Sequence, residues 1–335
     1  MENLLTFESS IAVWLQSTLP FLEPIMQFLS LLGDEFFYMA ILPLFVWCIN
    51  YAMGLRLGVM LMLTSITNMI AKISFHTPRP YWVDTRVLAM RTESSFGMPS
   101  GHAQNAAAMW GIFAANTQNK WISRICYFLI FLIGFSRVYL GVHYIHDILL
   151  GWFFGFLLII LFWLFEKKIV ARYLQLKQTE KISLALVLSL GTIFITMILL
   201  MLIGNWSLPV EWVNNAAAAS PGNIINPLSK EGVFTLAGTF GGLMIGLALF
   251  LDKHEGTPNV EGTIVQKALR YLVGIVGIMI IYTGLKLILP DGESSIALVA
   301  RFLRYSLLGY WIAGGAPEVF VRIKLISIKK LPVSK

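Results

Sequence analysis

The sequence predicts an all-α membrane protein, a polytopic helical bundle, and two observations carry this prediction. Of its 335 residues 57% are hydrophobic and only 13% are charged, whereas about 25% are charged in soluble domains. Apolar runs of roughly 20 residues, long enough to cross a hydrocarbon core of about 30 Å as helices, recur between residues 36 and 315. We therefore expect helices rather than a barrel.

Nine segments are predicted to span the membrane. In chain order they are residues 36–54, 56–75, 101–118, 122–140, 145–166, 182–204, 233–251, 268–289 and 301–317. The stretch 11–32 is apolar but interrupted by Pro20, Glu23 and Pro24, which favours an interfacial or re-entrant pair of short helices over a tenth span. The opening residues lack the basic region of a cleavable signal peptide.

Threading these segments through a membrane places most of the 25 Lys and Arg residues on one face. By the positive-inside rule this face is cytoplasmic. The two longest connections, 76–100 and 205–232, then fall on the opposite face, and both are rich in polar and turn-forming residues. Long connections of this kind often carry function.

Other features have ordinary structural interpretations. Cys48 and Cys126 lie inside apolar segments and are interpreted as core residues. The net charge of +7 does not indicate nucleic acid, because the basic residues are dispersed and form no stripe with stacking aromatics. Small residues four apart, within 151–155 and within 238–246, predict close helix contacts.

Three short stretches place polar and charged side chains at the ends of apolar segments, where such groups are costly and usually functional. They are KISFHTPRP at 72–80, PSGH at 99–102 and SRVYLGVHYIHD at 136–147. In the predicted threading, the segments that carry them all meet the same membrane face. We therefore expect four helix ends to converge on one site.

The first group of candidate site residues binds anions. Lys72, Arg79 and Arg137 are three cations suited to a dianionic phosphate, and arginine can bind two oxygens through its planar guanidinium. Ser100 directly precedes an apolar segment and is the predicted N-cap of a helix. The backbone N–H groups near Gly101 then form an anion cradle.

The second group is suited to acid–base and nucleophilic chemistry. If the helix that begins near Tyr144 starts one turn early, His143 and Asp147 share one face, and the carboxylate fixes the imidazole tautomer. His102 comes from another helix end. One imidazole can then attack phosphorus while the other protonates the leaving alkoxide. This arrangement requires no metal, and no cofactor is expected.

The pattern K-x6-RP, PSGH and SR-x5-H-x3-D, in this order, resembles the three signature motifs of the type 2 phosphatidic acid phosphatase (PAP2) superfamily. The resemblance implies a helical core shared with vanadium haloperoxidases, His143 as a nucleophile oriented by Asp147, and His102 as the general acid. It also implies phosphoryl binding by Lys72, Arg79, Ser100, Gly101 and Arg137. The stretch LGDEFFYMAILPLFVW at 32–47 resembles the sphingosine-phosphate-phosphatase-like branch.

Residues beside the motifs are given structural interpretations. His76 occupies no motif position, nor does His146, which on a helix would point about 100° away from Asp147. Two interpretations are open for the charged residues of the connection 76–100, contact with a lipid headgroup and a solvated loop surface, of which the solvated surface is favoured: Asp84, Arg86, Arg91 and Glu93. Four aromatic residues line either an acyl or isoprenoid groove or the interfacial aromatic belt, of which the belt is the default interpretation: Trp82, Phe96, Trp110 and Tyr139. Residues 170–335 are interpreted as a scaffold or lipid-facing extension.

Together these observations predict a metal-independent membrane phosphatase that hydrolyses a lipid phosphate monoester or diphosphate through a phosphohistidine. The alternatives are a lipid phosphotransferase that uses the same intermediate and a transporter of anionic lipids. The expected partners are the phosphorylated lipid and membrane lipids, without nucleic acid. The expected location is the inner membrane of a bacterium, with the site on the non-cytoplasmic face. Three regions are predicted: N-terminal helices at 1–35, a catalytic core at 36–170 and a transmembrane extension at 171–335.

Overall fold

The computed structural model describes residues 2–330, and their regular structure is almost entirely helical, as predicted. The helices are α1 (Glu2–Thr18), α2 (Glu23–Leu31), α3 (Glu35–Leu44), α4 (Tyr51–Phe75), α5 (Pro80–Val83), α6 (Gly101–Asn116), α7 (Lys120–Tyr139), α8 (Ile145–Gln175), α9 (Gln178–Ile203), α10 (Val210–Ala219), α11 (Glu231–His254), α12 (Ile264–Met279), α13 (Leu285–Ile288), α14 (Ser295–Tyr310) and α15 (Ala316–Arg322). Strands β1 (Gly256–Asn259) and β2 (Ser327–Lys330) form a short antiparallel ribbon.

Within the described range, seven helical stretches are long and apolar enough to cross a membrane. Helices lie at all nine predicted positions, but two of them are shorter. The apolar helix Phe37–Ile49 contains Pro43 and ends in a π-helical turn. Helix α6 has 16 residues and is therefore about 24 Å long. The predicted number of nine spans is therefore larger than the number that helix length and composition support. Pro43 and the polar ends of α6 limit the apolar length of these two helices.

The N-terminal stretch forms two helices, α1 and α2, joined by a 3-10 turn at Pro20–Leu22. The break falls where Pro20 and Pro24 predict it, since proline lacks the N–H that continues a helix. The interfacial or re-entrant placement of this pair stays a prediction.

Two compact units interleave along the chain. One contains Met1–Tyr38, Leu63–Leu164 and Ile198–Ser229, and the other contains Met39–Met62, Phe165–Met197 and Lys230–Lys335. The first unit holds all three motifs. The predicted boundaries near residues 35 and 170 stay predictions.

The first unit has a buried aromatic core that includes Trp82, Phe96 and Tyr139. The prediction that these three lie in an interfacial belt is therefore wrong, because they pack against α1, α2 and the connection 76–100 instead. Gly155 of α8 lies so close to α6 that a Cβ would stand 2.6 Å from the carbonyl oxygen of Gln104. This confirms the close helix contact predicted from the small residues at 151–155.

A ladder of polar side chains ties α4 to the start of α6. The Asn68 amide donates to the carbonyl oxygen of Pro99 at 3.1 Å and to Oε1 of Gln104 at 2.9 Å. The Gln104 amide donates in turn to Thr64 O at 3.0 Å and to Thr67 Oγ1 at 2.9 Å. Buried amides satisfied in this way hold a single arrangement. The ladder fixes the end of α4, which carries the first motif, against the PSGH motif.

In the second unit, α11 packs against α14 through glycines. A Cβ on Gly238, Gly242 or Gly246 would meet backbone of Phe302, Ser306 or Tyr310, respectively, within 2.7 Å. The spacing of these glycines therefore predicted a real helix contact. Cys48 in this unit and Cys126 in the first unit are buried and free, as their apolar surroundings predicted.

Substitution of Gly242 by alanine is expected to destabilise the protein. The new Cβ would stand 1.9 Å from the backbone oxygen of Ser306, and overpacking of this kind costs about 1–3 kcal/mol. The matched control is Gly191→Ala in α9, where no atom lies within 4 Å and alanine favours the helix by about 1 kcal/mol. Thermal unfolding in detergent measures both variants, and equal shifts would contradict the close contact.

Candidate active site

The structure brings the predicted site residues to one end of the first unit. Lys72 lies in the last turn of α4, Ser100 caps α6, Arg137 lies in the last turn of α7 and Asp147 lies in the first turn of α8. Arg79 precedes α5 and His143 precedes α8. Six of these residues are buried: Lys72, Arg79, Ser100, Arg137, His143 and Asp147.

His143 and Asp147 contact each other, although α8 does not start early as the sequence-based prediction required. The helix begins at Ile145, so His143 stands outside it. The Asp147 carboxylate turns back to the helix start, where Oδ2 accepts from the Tyr144 N–H at 3.0 Å and lies 3.2 Å from Nδ1 of His143. Ser100 N–H donates to the Asp147 carbonyl at 3.0 Å, which links the second and third motifs.

The contacts of Arg79 assign the tautomer of His143. The guanidinium nitrogen Nη1 lies 3.3 Å from Nε2 of His143 and donates to Val142 O at 2.9 Å. Arginine is always a donor, so Nε2 is the accepting nitrogen and Nδ1 carries the proton toward Asp147. Burial, followed by the nearby Arg79, lowers the pKa of His143 well below its ordinary value. The ring is therefore neutral, with its lone pair on Nε2.

The three cations are held by the segment that precedes the PSGH motif. Lys72 donates to the carbonyl oxygens of Phe96 and Gly97. Arg79 donates to Ser95 O at 2.7 Å and to Phe96 O at 3.1 Å. The cations thus stand close together, already hydrogen-bonded, at the place where the helix ends meet.

Glu93 is an acidic member of the site. The interpretation of this residue as solvated loop surface is therefore wrong. Its carboxylate pairs with Arg137 and lies 4.0 Å from Arg79. Burial alone would raise the pKa of Glu93, but Arg137 and then Arg79 outweigh burial and hold the pKa well below its usual range. The carboxylate is therefore charged and occupies part of the anion site. Only the need of buried arginines for a counter-charge could have indicated it.

His102 faces acidic and basic neighbours from the first turn of α6. Its Nε2 lies 3.7 Å from Oδ1 of Asp34 and makes no hydrogen bond within residues 2–330. Asp34 also pairs with Arg91 at 2.8 Å. Arg91 is thus an ion-pair partner of Asp34, whereas Asp84 and Arg86 pair with each other.

The interpretation of His146 as pointing away from Asp147 is also wrong. Its Nε2 lies 3.4 Å from Oδ1 of Asp147, and its Nδ1 lies 2.8 Å from Oε2 of Glu8. Side chains of neighbouring helical residues do leave the helix about 100° apart. The His146 ring nevertheless reaches Asp147, because its Nδ1 edge contacts Glu8 of α1.

The connection 205–229 contributes to this unit, so residues 170–335 are more than the scaffold or lipid-facing extension expected from the sequence. The expectation that the long connection 205–232 carries function stays a prediction. The ring of Trp206 lies 5.7 Å from that of Phe96 and 5.4 Å from that of His76. Asn226 N–H donates to Ser94 O at 3.2 Å. The segment 93–97, which holds the cations, is therefore itself packed against residues far along the chain.

Two cavities lie beside this segment, and Thr92 and Glu93 line both of them. One of about 260 Å³ is lined by Tyr81, Thr92, Glu93, Ser94, Ala216, Ser220, Asn223, Ile224 and Ile225. The other, of about 760 Å³, is lined by Leu31, Asp34, Phe37, Arg91, Thr92 and Glu93. Ligand sites commonly have volumes of about 300–1,000 Å³. The larger cavity combines apolar and charged walls next to the partner of His102.

Residues 2–330 contain no group of three or more His, Cys, Asp or Glu side chains arranged to hold a metal ion. Metal independence itself stays a prediction, since it concerns the reaction.

Two family models match the chain. The PAP2 superfamily model matches residues 53–171, and the model of the PAP2 superfamily phosphatase transmembrane extension matches residues 234–329. Together these ranges take in most of the chain. The chain belongs to the PAP2 superfamily, as the three motifs predicted, and it is an integral membrane protein.

The relatives carry phosphatase names. Sphingosine-1-phosphate phosphatase 1 of Mus musculus is 24% identical over 317 residues, which cover 86% of this chain and 69% of that protein. Phosphatidylglycerophosphatase B of Bacillus subtilis is 40% identical over 86 residues, 23% of this chain and 42% of that protein. The chain thus spans about two thirds of the first relative and less than half of the second. The predicted phosphoric ester hydrolase is confirmed at the level of the family.

A solved structure is also similar to part of the chain. The crystal structure of the first transmembrane PAP2 type phosphatidylglycerolphosphate phosphatase from Bacillus subtilis is 27% identical, with a TM-score of 0.43, and covers 50% of this chain and 87% of that chain.

Substitution of Glu93 by glutamine is expected to tighten the binding of a phosphate analogue, because it removes the carboxylate that competes for Arg137. We expect the inhibition constant of orthovanadate to fall about tenfold, or about 1.4 kcal/mol, within the range of one charged hydrogen bond. Asp84→Asn, which removes a carboxylate paired at the surface, should leave the constant unchanged. Weaker vanadate binding in Glu93→Gln would show instead that Glu93 mainly holds Arg137 in place.

Proposed function

We propose that this protein is a membrane phosphatase that hydrolyses a lipid phosphate monoester or diphosphate through a phosphohistidine at His143. One observation carries the proposal: the neutral ring of His143 is held between Asp147 and Arg79, at 3.2 and 3.3 Å. The lone pair of Nε2 therefore faces the cations, where a phosphate would bind. A nucleophile aimed at an anion site in this way is suited to phosphoryl transfer.

In the first step, Nε2 of His143 attacks phosphorus. The N–P bond forms, the P–O bond to the lipid alcohol breaks, and the leaving alkoxide takes a proton from His102. A phosphate dianion beside Arg79 and Arg137 favours the protonated form of His102, so the acid forms as the substrate binds. The phosphorylated ring of His143 is stabilised by Asp147 through Nδ1–H.

In the second step, water attacks phosphorus from the side that the alcohol has left, and the now neutral His102 accepts its proton. The N–P bond breaks and returns its electron pair to His143. One ester and one water thus give one alcohol and one inorganic phosphate. No metal ion enters either step in this proposal.

Electrostatic stabilisation is the largest contribution required of the site. Hydrolysis of phosphate monoesters is among the slowest uncatalysed reactions, with enzymatic accelerations approaching ~10²¹. Lys72, Arg79 and Arg137 supply fixed positive charge in a buried setting, where charge acts strongly. Since the segment 93–97 occupies many of their donors, the substrate phosphate must replace part of these contacts.

The substrate is proposed to be a lipid because the cavity beside Asp34 and His102 has apolar walls, Leu31 and Phe37. A lipid alcohol that leaves from phosphorus toward His102 would enter this cavity. The proposed location is the inner membrane of a bacterium, with the site on the non-cytoplasmic face, in line with the distribution of Lys and Arg. The relatives' names suggest sphingosine 1-phosphate and phosphatidylglycerophosphate as first candidates.

Phosphate release from a panel of lipid phosphates, measured on detergent-purified protein with EDTA, tests the reaction. We expect release by the parent and a loss of at least about a thousandfold in His143→Ala, because the nucleophile is removed. His254→Gln, a histidine paired with Glu318 in the second unit, is the matched control and should retain activity. Equal release by the parent and His143→Ala would rule out a phosphohistidine at His143, whereas no release from any lipid would favour a phosphotransferase or a transporter.

The role of His102 is tested by the leaving group. We expect His102→Gln to lower kcat/KM, which reports the steps up to the phosphohistidine, by about a hundredfold for a lipid monoester, as loss of a general acid does. The loss in kcat/KM should be much smaller for p-nitrophenyl phosphate, whose phenolate leaves without a proton. Equal losses in kcat/KM on both esters would assign His102 to binding rather than to protonation of the leaving group.

A further inference from the structure

Glu8 is a buried carboxylate on α1 that the proposed mechanism does not use. It is 7% exposed, and its Oε2 accepts from the Ile145 N–H at 3.0 Å and lies 2.8 Å from Nδ1 of His146. Taking a carboxylate out of water is costly unless it is hydrogen-bonded. Here it caps the first turn of α8, where the helix dipole favours a negative charge. Helix α1 is thereby tied to the helix that carries Asp147.

The other side of the His146 ring faces Asp147. Oδ1 of Asp147 is buried and makes no hydrogen bond within the described part of the chain, whereas Oδ2 contacts His143 and the Tyr144 N–H. Nε2 of His146 lies 3.4 Å from Oδ1. An unsatisfied buried carboxylate oxygen is costly. His146 lies within ion-pair distance of Oδ1 without hydrogen-bonding to it. Because Nδ1 donates to Glu8, this contact is attractive when the ring carries a proton on both nitrogens.

Contacts at two edges and on one face hold the His146 ring in this orientation. It stacks on Tyr144 with centroids 5.3 Å apart and an interplanar angle of 11°. With Nδ1 donating to Glu8, the ring cannot turn Nε2 away from Asp147 without losing the hydrogen bond to Glu8 and the stacking on Tyr144. The side chain is therefore a rigid spacer between two carboxylates.

We propose that Glu8 and His146 are positioning residues for the nucleophile, in a relay that runs from Glu8 through His146 and Asp147 to His143. This inference rests on the proposed nucleophilic role of His143. A carboxylate anchored through one oxygen can rotate and carry the imidazole with it. Anchoring the second oxygen through His146 restricts that rotation and holds Nε2 of His143 in line with phosphorus, which matters because small misplacements of reacting atoms cost rate steeply.

This relay lies outside what the family pattern specifies. The PAP2 model begins at residue 53, so Glu8 precedes it, and the motif SR-x5-H-x3-D leaves position 146 open. Gln16, also on α1, supports the same region, since its amide donates to Tyr139 O and Leu88 O, each at 2.9 Å. Helix α1 is thus part of the catalytic unit of this chain.

The test compares Glu8→Gln, His146→Asn and the double variant with the parent. Each is assayed on the lipid monoester that the parent hydrolyses fastest, with orthovanadate inhibition as the measure of anion binding. We expect each single variant to lower kcat about tenfold, with KM and the vanadate constant changed less than about twofold. Because both residues act through one relay, the double variant should be no slower than the slower single one. Glu23→Gln, an exposed acid at the start of α2, is the matched control.

A second histidine variant separates positioning from simple anchoring of α1. In His146→Gln the amide nitrogen can take the place of Nε2 and reach Asp147, whereas in His146→Asn it can take the place of Nδ1 and reach Glu8. Positioning predicts that His146→Gln retains the higher kcat, and anchoring predicts the reverse, together with a lower Tm for His146→Gln.

Unchanged kcat in Glu8→Gln or His146→Asn, additive losses in the double variant, or a higher kcat in His146→Asn would each overturn the relay. If the parent hydrolyses no lipid phosphate, or if His143→Ala equals the parent, the proposed function fails and the relay fails with it. If the parent is active, His143→Ala is inactive and the relay variants keep the parent's kcat, the relay alone is overturned.

Discussion

The burial of three cations at one end of a helical bundle is the constraint on which the rest of the first unit depends. Lys72, Arg79 and Arg137 are withdrawn from solvent, and an unpaired buried charge costs several kcal/mol. Backbone carbonyls of residues 95–97 accept hydrogen bonds from Lys72 and Arg79, and the carboxylate of Glu93 supplies a counter-charge to Arg137. The connection 76–100 is therefore ordered by electrostatics, and the aromatic contacts of residues 205–229 hold it from outside.

Most of the fold could be predicted from the sequence because its signals are local. Apolar runs mark helices, prolines mark the break after α1, and glycines four apart mark close helix contacts. The convergence of the three motifs was also predictable, since charged groups at the ends of membrane helices are rare and costly. The number of spans was not predictable, because Pro43 and the polar ends of α6 shorten two helices. The mean hydropathy of a segment does not detect either effect.

The acidic residues of the site other than Asp147 could not be predicted. Glu93 and Asp34 lie in connections without periodicity, and their roles depend on which cation or histidine each meets in three dimensions. Glu8 and His146 illustrate the same limit, because one belongs to the first helix and the other to the eighth. Sequence spacing indicates what lies on one helix face, whereas contacts between distant helices follow from packing.

The segment Ile198–Ser229 belongs to the unit that carries the motifs, yet it lies between the two ranges that the family models match. It lines one of the two cavities beside Glu93 through Ala216, Ser220 and Asn223. Changes confined to this segment would therefore alter the wall of a cavity beside Glu93 and leave every letter of the signature motifs unchanged.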